Sequence, residues 1–212
     1  VDIVRQSLSD RGRIVYNQTI ADFKSFYIKA GMYKKVLVIG AEVMSQVVDW
    51  KDRSVCVLFG DGAGAVVLGE DSSGKSIFRL HSDSGSAQAL TLGKENAVHM
   101  NGREIFSFAV RKVPESVKEV LEESETAKEQ VKYFILHQAN ARMIESIAKR
   151  LDVPVEKFPM NLETHGNTSA ASIPVLLDEL NRQNRLIPGD VLILSGFGGG
   201  LSWGSALLEW HK

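Results

Sequence analysis

Three short motifs carry residue types from which a site that stabilises developing negative charge can be built: His137-Gln138-Ala139-Asn140, His165-Gly166-Asn167-Thr168-Ser169 and Gly196-Phe197-Gly198-Gly199-Gly200. A neutral imidazole and a carboxamide can each donate a hydrogen bond to one oxygen as it gathers charge, and a glycine turn can present backbone N–H groups to another. Those are the stabilisers of thioester chemistry. The nucleophile that such chemistry favours, a cysteine thiolate, has no obvious source. The single cysteine, Cys56, lies in the apolar run Val55-Cys56-Val57, where a thiol is expected to be buried, inert and raised in pKa.

The elements that must position these groups follow from apolar patterning. Val36-Leu37-Val38-Ile39-Gly40 is a continuous apolar run that suits a strand buried on both faces. Ser54 to Leu58 and Ala63 to Leu68 read as two more strands, joined by the turn Phe59-Gly60-Asp61-Gly62. That glycine-rich stretch lacks the Lys-Ser/Thr ending of a phosphate loop, so a strand-to-strand turn with close backbone packing is expected. From Arg103 to Leu121, Ile105, Phe106, Ala109, Val113, Val117 and Val120 recur at helical spacing, and Pro114 is expected to kink the helix or mark its start. Tyr133-Phe134-Ile135-Leu136 is strand-like and leads into His137, after which Met143 to Leu151 forms a short helix. Ala170 to Leu180 is a second helix with Asn167, Thr168 or Ser169 as its cap, and Val191 to Ser195 and Ser202 to Trp210 are strands flanking the glycine turn. Strands alternating with helices predict an α/β layered fold with both sheet faces covered.

Composition narrows the function classes. The 212 residues are 44% hydrophobic with a net charge of −1, which suits one large core or two small domains and argues against a general nucleic-acid binder. No window approaches the roughly 18 apolar residues of a membrane span, and no basic-then-apolar signal opens the chain, so a cytoplasmic location without membrane association is expected. One cysteine cannot form an internal disulfide, which agrees with a reducing compartment. The histidines lack the pairing and the cysteine or carboxylate spacing that zinc requires, so no metal site is expected.

At these motifs the sequence resembles the β-ketoacyl-acyl carrier protein synthase III family, thiolase-fold enzymes that start type II fatty acid synthesis. The resemblance rests on Asp52-Arg53, Leu58 through Ala65, Met100-Asn101-Gly102-Arg103-Glu104-Ile105-Phe106, His137 through Asn140, Gly166 through Ser172, and Gly196 through Gly204, in the expected order from about Gly31 onward. It implies a thiolase-like αβαβα layered fold of two related halves, usually in a homodimer. It also implies an incomplete chain: residues 1–75 would end the N-terminal half, with an atypical segment 1–27, and residues 76–212 would form the C-terminal half.

The same resemblance implies roles. A cysteine would accept the acyl group of acyl-CoA, malonyl-acyl carrier protein would lose carbon dioxide, and the carbanion would attack the acyl-cysteine. Acyl-CoA and malonyl-acyl carrier protein would be substrates, with no permanently bound cofactor. His137 and Asn167 match the pair that binds the malonyl thioester carbonyl, and Gly199 matches a backbone donor of the oxyanion hole. Arg53, Gly102, Phe106, Ala139, Asn140 and Arg142 match positions lining the CoA and phosphopantetheine tunnel. Arg142, Lys149 and Arg150 would dock the acyl carrier protein, an acidic partner that complementary charge steers. His165, where the family carries tyrosine or a similar residue, is expected to be structural.

The departure from the family lies near the N-terminus. Counting back from Gly31 and Gly40 puts the family's cysteine at Ile14, whereas counting from Ala21-Asp22 puts it at Arg11, and neither is a nucleophile. The expected reading is thus a condensing enzyme of this type, inactive in acyl transfer as given. Its alternatives are a non-catalytic thiolase-fold subunit that pairs with an active partner, or a malonyl-thioester decarboxylase.

Overall fold

The computed structural model describes residue 28 and residues 31–69, 76–93 and 97–211. The first apolar run forms β1 (Lys35–Glu42), paired antiparallel with β2 (Gly62–Gly69) so that Leu37 faces Val67 and Gly40 faces Gly64. These two strands form a sheet of their own, and only one face of it is packed. Val38 is 5% exposed whereas Leu37 is 59% exposed, which corrects the expectation of a strand buried on both sides.

A second correction concerns Ser54 to Leu58, which form turns rather than a strand. The Asp52 carboxylate accepts from Ser54 N at 2.9 Å and Ser54 Oγ at 2.6 Å, and its carbonyl accepts from Val55 N and Cys56 N at 3.1 and 2.9 Å. An aspartate that bonds the backbone two residues on offers the chain a turn in place of a ladder. The Gly60-Asp61-Gly62 segment therefore leads out of a turn into β2 and does not join two strands.

The main sheet contains β3 (Ile77–Ser82), β6 (Val131–Leu136), β7 (Val191–Gly198) and β8 (Ser202–Glu209) in the order β3-β8-β7-β6, with β6 parallel to β7 and the other pairs antiparallel. A small hairpin of β4 (Leu90–Leu92) and β5 (Val98–Met100) leads into the long helix α1 (Gly102–Glu123). After β6 come α2 (Ala141–Leu151), a single helical turn over Leu162–His165, and α3 (Ser172–Arg182), the last entered through a 3-10 turn over Ser169–Ala171. The glycine turn is tighter than the sequence suggests, since β7 continues through Gly196-Phe197-Gly198 and only residues 199–201 turn.

Both faces of the main sheet are covered. Phe134, Leu136, Ile193 and Leu207 point into a core with Ile105, Phe108, Val113 and Val117 of α1 and Ile144 and Ile147 of α2. Ile135, Leu192, Leu194 and Ala206 alternate to the other face, against Leu176, Leu177 and Leu180 of α3. Burial of each such side chain contributes roughly 1.5–3 kcal/mol. This helps explain why α1 runs unbroken through Pro114, itself buried, although the proline ring removes one helical hydrogen bond.

α3 also packs on the β1/β2 sheet, and glycine permits the approach. An ideal Cβ on Gly40 would fall 2.5 Å from Ala170 O, and one on Gly64 would fall 2.8 Å from Val175 N. Helices and sheets thus alternate as αβαβ among the described residues, in keeping with the layered αβαβα fold.

Candidate active site

Chain direction brings the chemical residues to one end of the main sheet. α1 connects through a short turn to the start of β6, so its N-terminus, with Gly102 and Phe106, lies at the end where β6 finishes. His137, Ala139, Asn140 and the first turn of α2 follow directly from β6, and Gly199 follows β7, which is parallel to β6. α3 runs back toward the start of β7, which leaves Ser172 at the same end. The carboxyl ends of parallel strands, met by helix N-termini, are the usual place for a ligand in α/β proteins.

His137 is held on three sides. Its N–H donates to Ser195 O at 2.8 Å, its Nδ1 lies 2.7 Å from Ser172 Oγ, and its ring meets Phe197 edge-on with centroids 5.2 Å apart. Burial pulls the imidazole down to about 4 from its ordinary value near 6.5, so the ring is neutral at physiological pH. The next residue braces the loop: fully buried Gln138 donates from Nε2 to Leu136 O at 2.8 Å and accepts from Asn161 N at 3.2 Å.

Asn167 is fixed by its backbone and by its side chain. It forms an isolated parallel bridge with Phe59, with Asn167 N donating to Leu58 O at 2.9 Å and Gly60 N donating to Asn167 O at 3.0 Å. Its Oδ1 accepts from Ser169 N at 2.9 Å, a local turn just before α3 that sets the amide so that Nδ2 is the atom left to donate. The side-chain cap expected of Asn167, Thr168 or Ser169 is not made: the N-cap residues are Thr168 for the 3-10 turn and Ala171 for α3, and neither makes a side-chain cap hydrogen bond.

The remaining predicted residues are distributed around this end. Gly199 is half-buried, and an ideal Cβ there would meet only Leu90 O, at 3.5 Å. Phe106 and Ala139 are half-buried and pack on the main core, while Gly102 is exposed. Asn140 is half-buried, and its Oδ1 caps α2 through Met143 N at 3.4 Å. Arg53 is exposed in the turn before β2, and the segment leading to that turn is tied to β5 by Val98 N donating to Val47 O at 2.7 Å.

Arg142, Lys149 and Arg150 are all exposed on α2. Arg142 lies in the first turn, near the site, whereas Lys149 and Arg150 lie in the last turn, about 10 Å further along the helix axis. His165 bonds Glu179 Oε1 through Nε2 at 2.5 Å, while the other oxygen of Glu179 accepts from Asn161 Nδ2 at 2.8 Å. That arrangement clamps the loop before Asn167 to α3.

Two contributors escape sequence reasoning, Ser172 and Gln138, whereas the close backbone packing expected of the Gly60-Asp61-Gly62 stretch is present and admits the Asn167 segment. The signal of Ser172 and Gln138 is contact between distant parts of the chain, which periodicity does not carry. Cys56 sits half-buried in its turn, not within a buried strand. Ile14 and Arg11, the two positions counted back for a family cysteine, lie outside the described residues. Among the described residues no cluster of three or more His, Cys, Asp or Glu side chains could hold a metal, and no helix is long and apolar enough to cross a membrane.

Comparison with known proteins agrees with this architecture. Residues 21–99 match the model for 3-oxoacyl-[acyl-carrier-protein] synthase III, and residues 121–210 match the model for its C-terminal part. The β-ketoacyl-[acyl-carrier-protein] synthase III of Porphyra umbilicalis is 45% identical over 88% of this chain and 63% of its own length. That of Bacillus pumilus is 47% identical over 88% of this chain and 60% of its own. Among solved structures, the 3-oxoacyl-[acyl-carrier-protein] synthase III of Aquifex aeolicus VF5 superposes with a TM-score of 0.85 at 44% identity, covering 89% of this chain and 62% of that one. The Thermus thermophilus β-ketoacyl-[acyl carrier protein] synthase III also gives 0.85, at 38% identity, covering 90% of this chain and 63% of that one. The chain therefore spans less than two thirds of the length of these relatives. Matches to both parts of one family model, sustained at this identity and with a common fold, establish that the chain belongs to the 3-oxoacyl-[acyl-carrier-protein] synthase III family.

Proposed function

We propose that this chain carries the decarboxylating part of a condensing enzyme that joins an acyl group from acyl-CoA to malonyl-acyl carrier protein, the step that initiates fatty acid synthesis. One observation carries the reading. His137 Nδ1 and Asn167 Oδ1 are each engaged by the segment that begins α3, through Ser172 Oγ at 2.7 Å and Ser169 N at 2.9 Å. That leaves His137 Nε2 and Asn167 Nδ2 without hydrogen bonds among the described residues, as two neutral groups available to a substrate.

Both would donate to the thioester carbonyl oxygen of the malonyl group. As the carboxylate leaves as carbon dioxide, the bonding electrons pass to the α-carbon and that oxygen, and the two donors stabilise the enolate. A neutral imidazole suits this role, because it holds the charge without surrendering a proton. The carbanion would then attack the carbonyl of an acyl thioester, whose oxyanion would be met by Gly199 N–H, and a thiolate would leave. Arg53, Gly102, Phe106, Ala139, Asn140 and Arg142 would border the phosphopantetheine arm, with the guanidinium groups suited to phosphate. Arg142, Lys149 and Arg150 on α2 would steer the acidic acyl carrier protein. A soluble homodimer with halves 1–75 and 76–212, acting in the cytoplasm, completes the reading. The division is supported by β3, which joins the main sheet through β8.

The test is release of carbon dioxide from a malonyl thioester by this chain joined to the remaining part of the Aquifex aeolicus relative. His137→Ala and Asn167→Ala are each expected to slow it by about 100-fold, the usual effect of losing an oxyanion donor. His165→Ala should change it far less, since that side chain is engaged with Glu179. Normal decarboxylation in both former variants, with loss in the latter, would overturn the assignment.

A further inference from the structure

The contact between His137 Nδ1 and Ser172 Oγ, at 2.7 Å, can be made in either direction, and the direction decides what the imidazole offers a substrate. If Nδ1–H donates to the hydroxyl, Nε2 faces the site as an acceptor, the arrangement of a general base. If the hydroxyl donates to Nδ1, Nε2 carries the proton and the ring is a donor.

We propose that the Ser172 hydroxyl donates to His137 Nδ1 and so holds the imidazole as its Nε2–H tautomer, which makes Ser172 the positioning residue that commits His137 to stabilising charge and not to removing protons. The proposal rests on the reading of His137 given above. Its basis is hydrogen-bond accounting. Ser172 is 2% exposed and His137 is 5% exposed, so neither polar group can turn freely to solvent. Gln138 N already donates to Ser172 Oγ at 3.4 Å. Among the described residues, Nδ1 is the one acceptor within reach of the hydroxyl proton. The reverse arrangement would direct two donors at Oγ and strand that proton in the interior, at a cost of about 1–3 kcal/mol. A histidine that works as a base instead presents Nδ1–H to a carboxylate or carbonyl oxygen, and none bonds Nδ1 here among the described residues. Since burial keeps the ring neutral, its one proton must reside on one nitrogen or the other.

The tautomer can be read directly in a long-range proton–nitrogen NMR spectrum of the chain labelled at histidine nitrogen, with His137 identified by the signal lost in His137→Gln. At neutral pH we expect Nδ1 to be unprotonated and Nε2 protonated. Ser172→Ala should produce a mixture of tautomers, and Ser172→Thr, which keeps the hydroxyl, should restore the original state. A protonated Nδ1 in the unsubstituted chain would overturn the proposal, and so would an unchanged tautomer in a folded Ser172→Ala. If the alanine variant does not fold, the spectrum of the unsubstituted chain still decides.

A separate arm tests the underlying reading. Decarboxylation by Ser172→Ala, in the joined chain described above, should fall at least about twofold in kcat, in step with the Nε2–H fraction, with little change in KM. A shifted tautomer with unchanged kcat would support the proposal on Ser172 while counting against His137 as the carbonyl donor.

Discussion

Gly60 holds Asn167 in place by backbone contact alone: its N–H donates to the Asn167 carbonyl at 3.0 Å, and an ideal Cβ on Gly60 would fall 2.1 Å from His165 O. The position is closed to any side chain, because the obstructing atom is backbone on the very segment that presents the Asn167 amide. Gly62 is similarly restricted, with Thr168 Cγ2 at 3.0 Å from its ideal Cβ. The Gly60-Asp61-Gly62-Ala63-Gly64 motif packs through its glycines on neighbouring backbone and side chains. It is the surface against which the Asn167 loop and α3 are seated.

Gly60→Ala should therefore displace Asn167 and be felt in rate as well as stability. Overpacking of this kind typically costs about 1–3 kcal/mol, and a contact with backbone falls at the upper end of that range. We expect a lowered thermal midpoint and decarboxylation slowed by at least about tenfold, since an oxyanion donor set out of line loses most of its effect. Gly69→Ala is the control, because nothing lies within 4 Å of its ideal Cβ. Equal behaviour of the two variants in both assays would refute the seating role.

Two titratable groups near this segment, buried His137 and half-buried Glu42, drive the pH dependence of stability in opposite directions. Burial lowers His137 to about 4 from 6.5, so between those values the unfolded chain takes up a proton that the folded chain refuses. Stability should fall as the pH drops from 6.5 toward 4, by on the order of 3 kcal/mol if the whole shift is realised. Burial raises Glu42 to about 7 from 4.5, partly offset by a backbone hydrogen bond with Ala170. Here the folded chain holds the extra proton, so this contribution is full below pH 4.5 and is lost as the pH rises through 7. The two contributions nearly cancel between pH 4.5 and 6.5 in the unsubstituted chain, so in urea unfolding from pH 4 to 8 His137→Gln should lose stability as the pH rises toward 7, and Glu42→Gln should lose stability as the pH falls toward 4. A pH profile that is the same in His137→Gln as in the unsubstituted chain would show that the imidazole does not contribute.

Where local chemistry agrees with tertiary packing, the sequence was legible. The apolar runs of β6 and β7 and the spacing of Ile105, Val113, Val117 and Val120 in α1 led directly to the strands and helix observed. Ser54 to Leu58 misled because its apolar content invites a strand while Asp52, just before it, bonds the backbone into a turn. The edge strand β3 was missed: Arg79, His81 and Ser82 give it the polar content of a loop, and its pairing with β8 joins residues far apart in sequence. Within the site, the types and order of His137 and Asn167 were visible. The groups that orient them were not, since Ser172 meets His137 across 35 residues and Gly60 meets Asn167 across a larger separation still.

The single cysteine offers the last test, because thioester chemistry in this family's manner calls for a thiolate nucleophile. Such a thiolate needs a helix N-terminus, a neighbouring cation or a base to lower its pKa. Cys56 lies in a turn rather than at the start of a helix, and no hydrogen bond or ion pair involves its Sγ among the described residues. Incubation of this chain with acetyl-CoA, followed by intact mass spectrometry, should therefore give no stable acetyl adduct, and Cys56→Ser should leave the mass profile unchanged apart from the substitution. A stoichiometric adduct that disappears in Cys56→Ser would make Cys56 the acyl carrier of this chain. It would also mean that the turn before β2, and not a residue near Ile14 or Arg11, supplies the nucleophile.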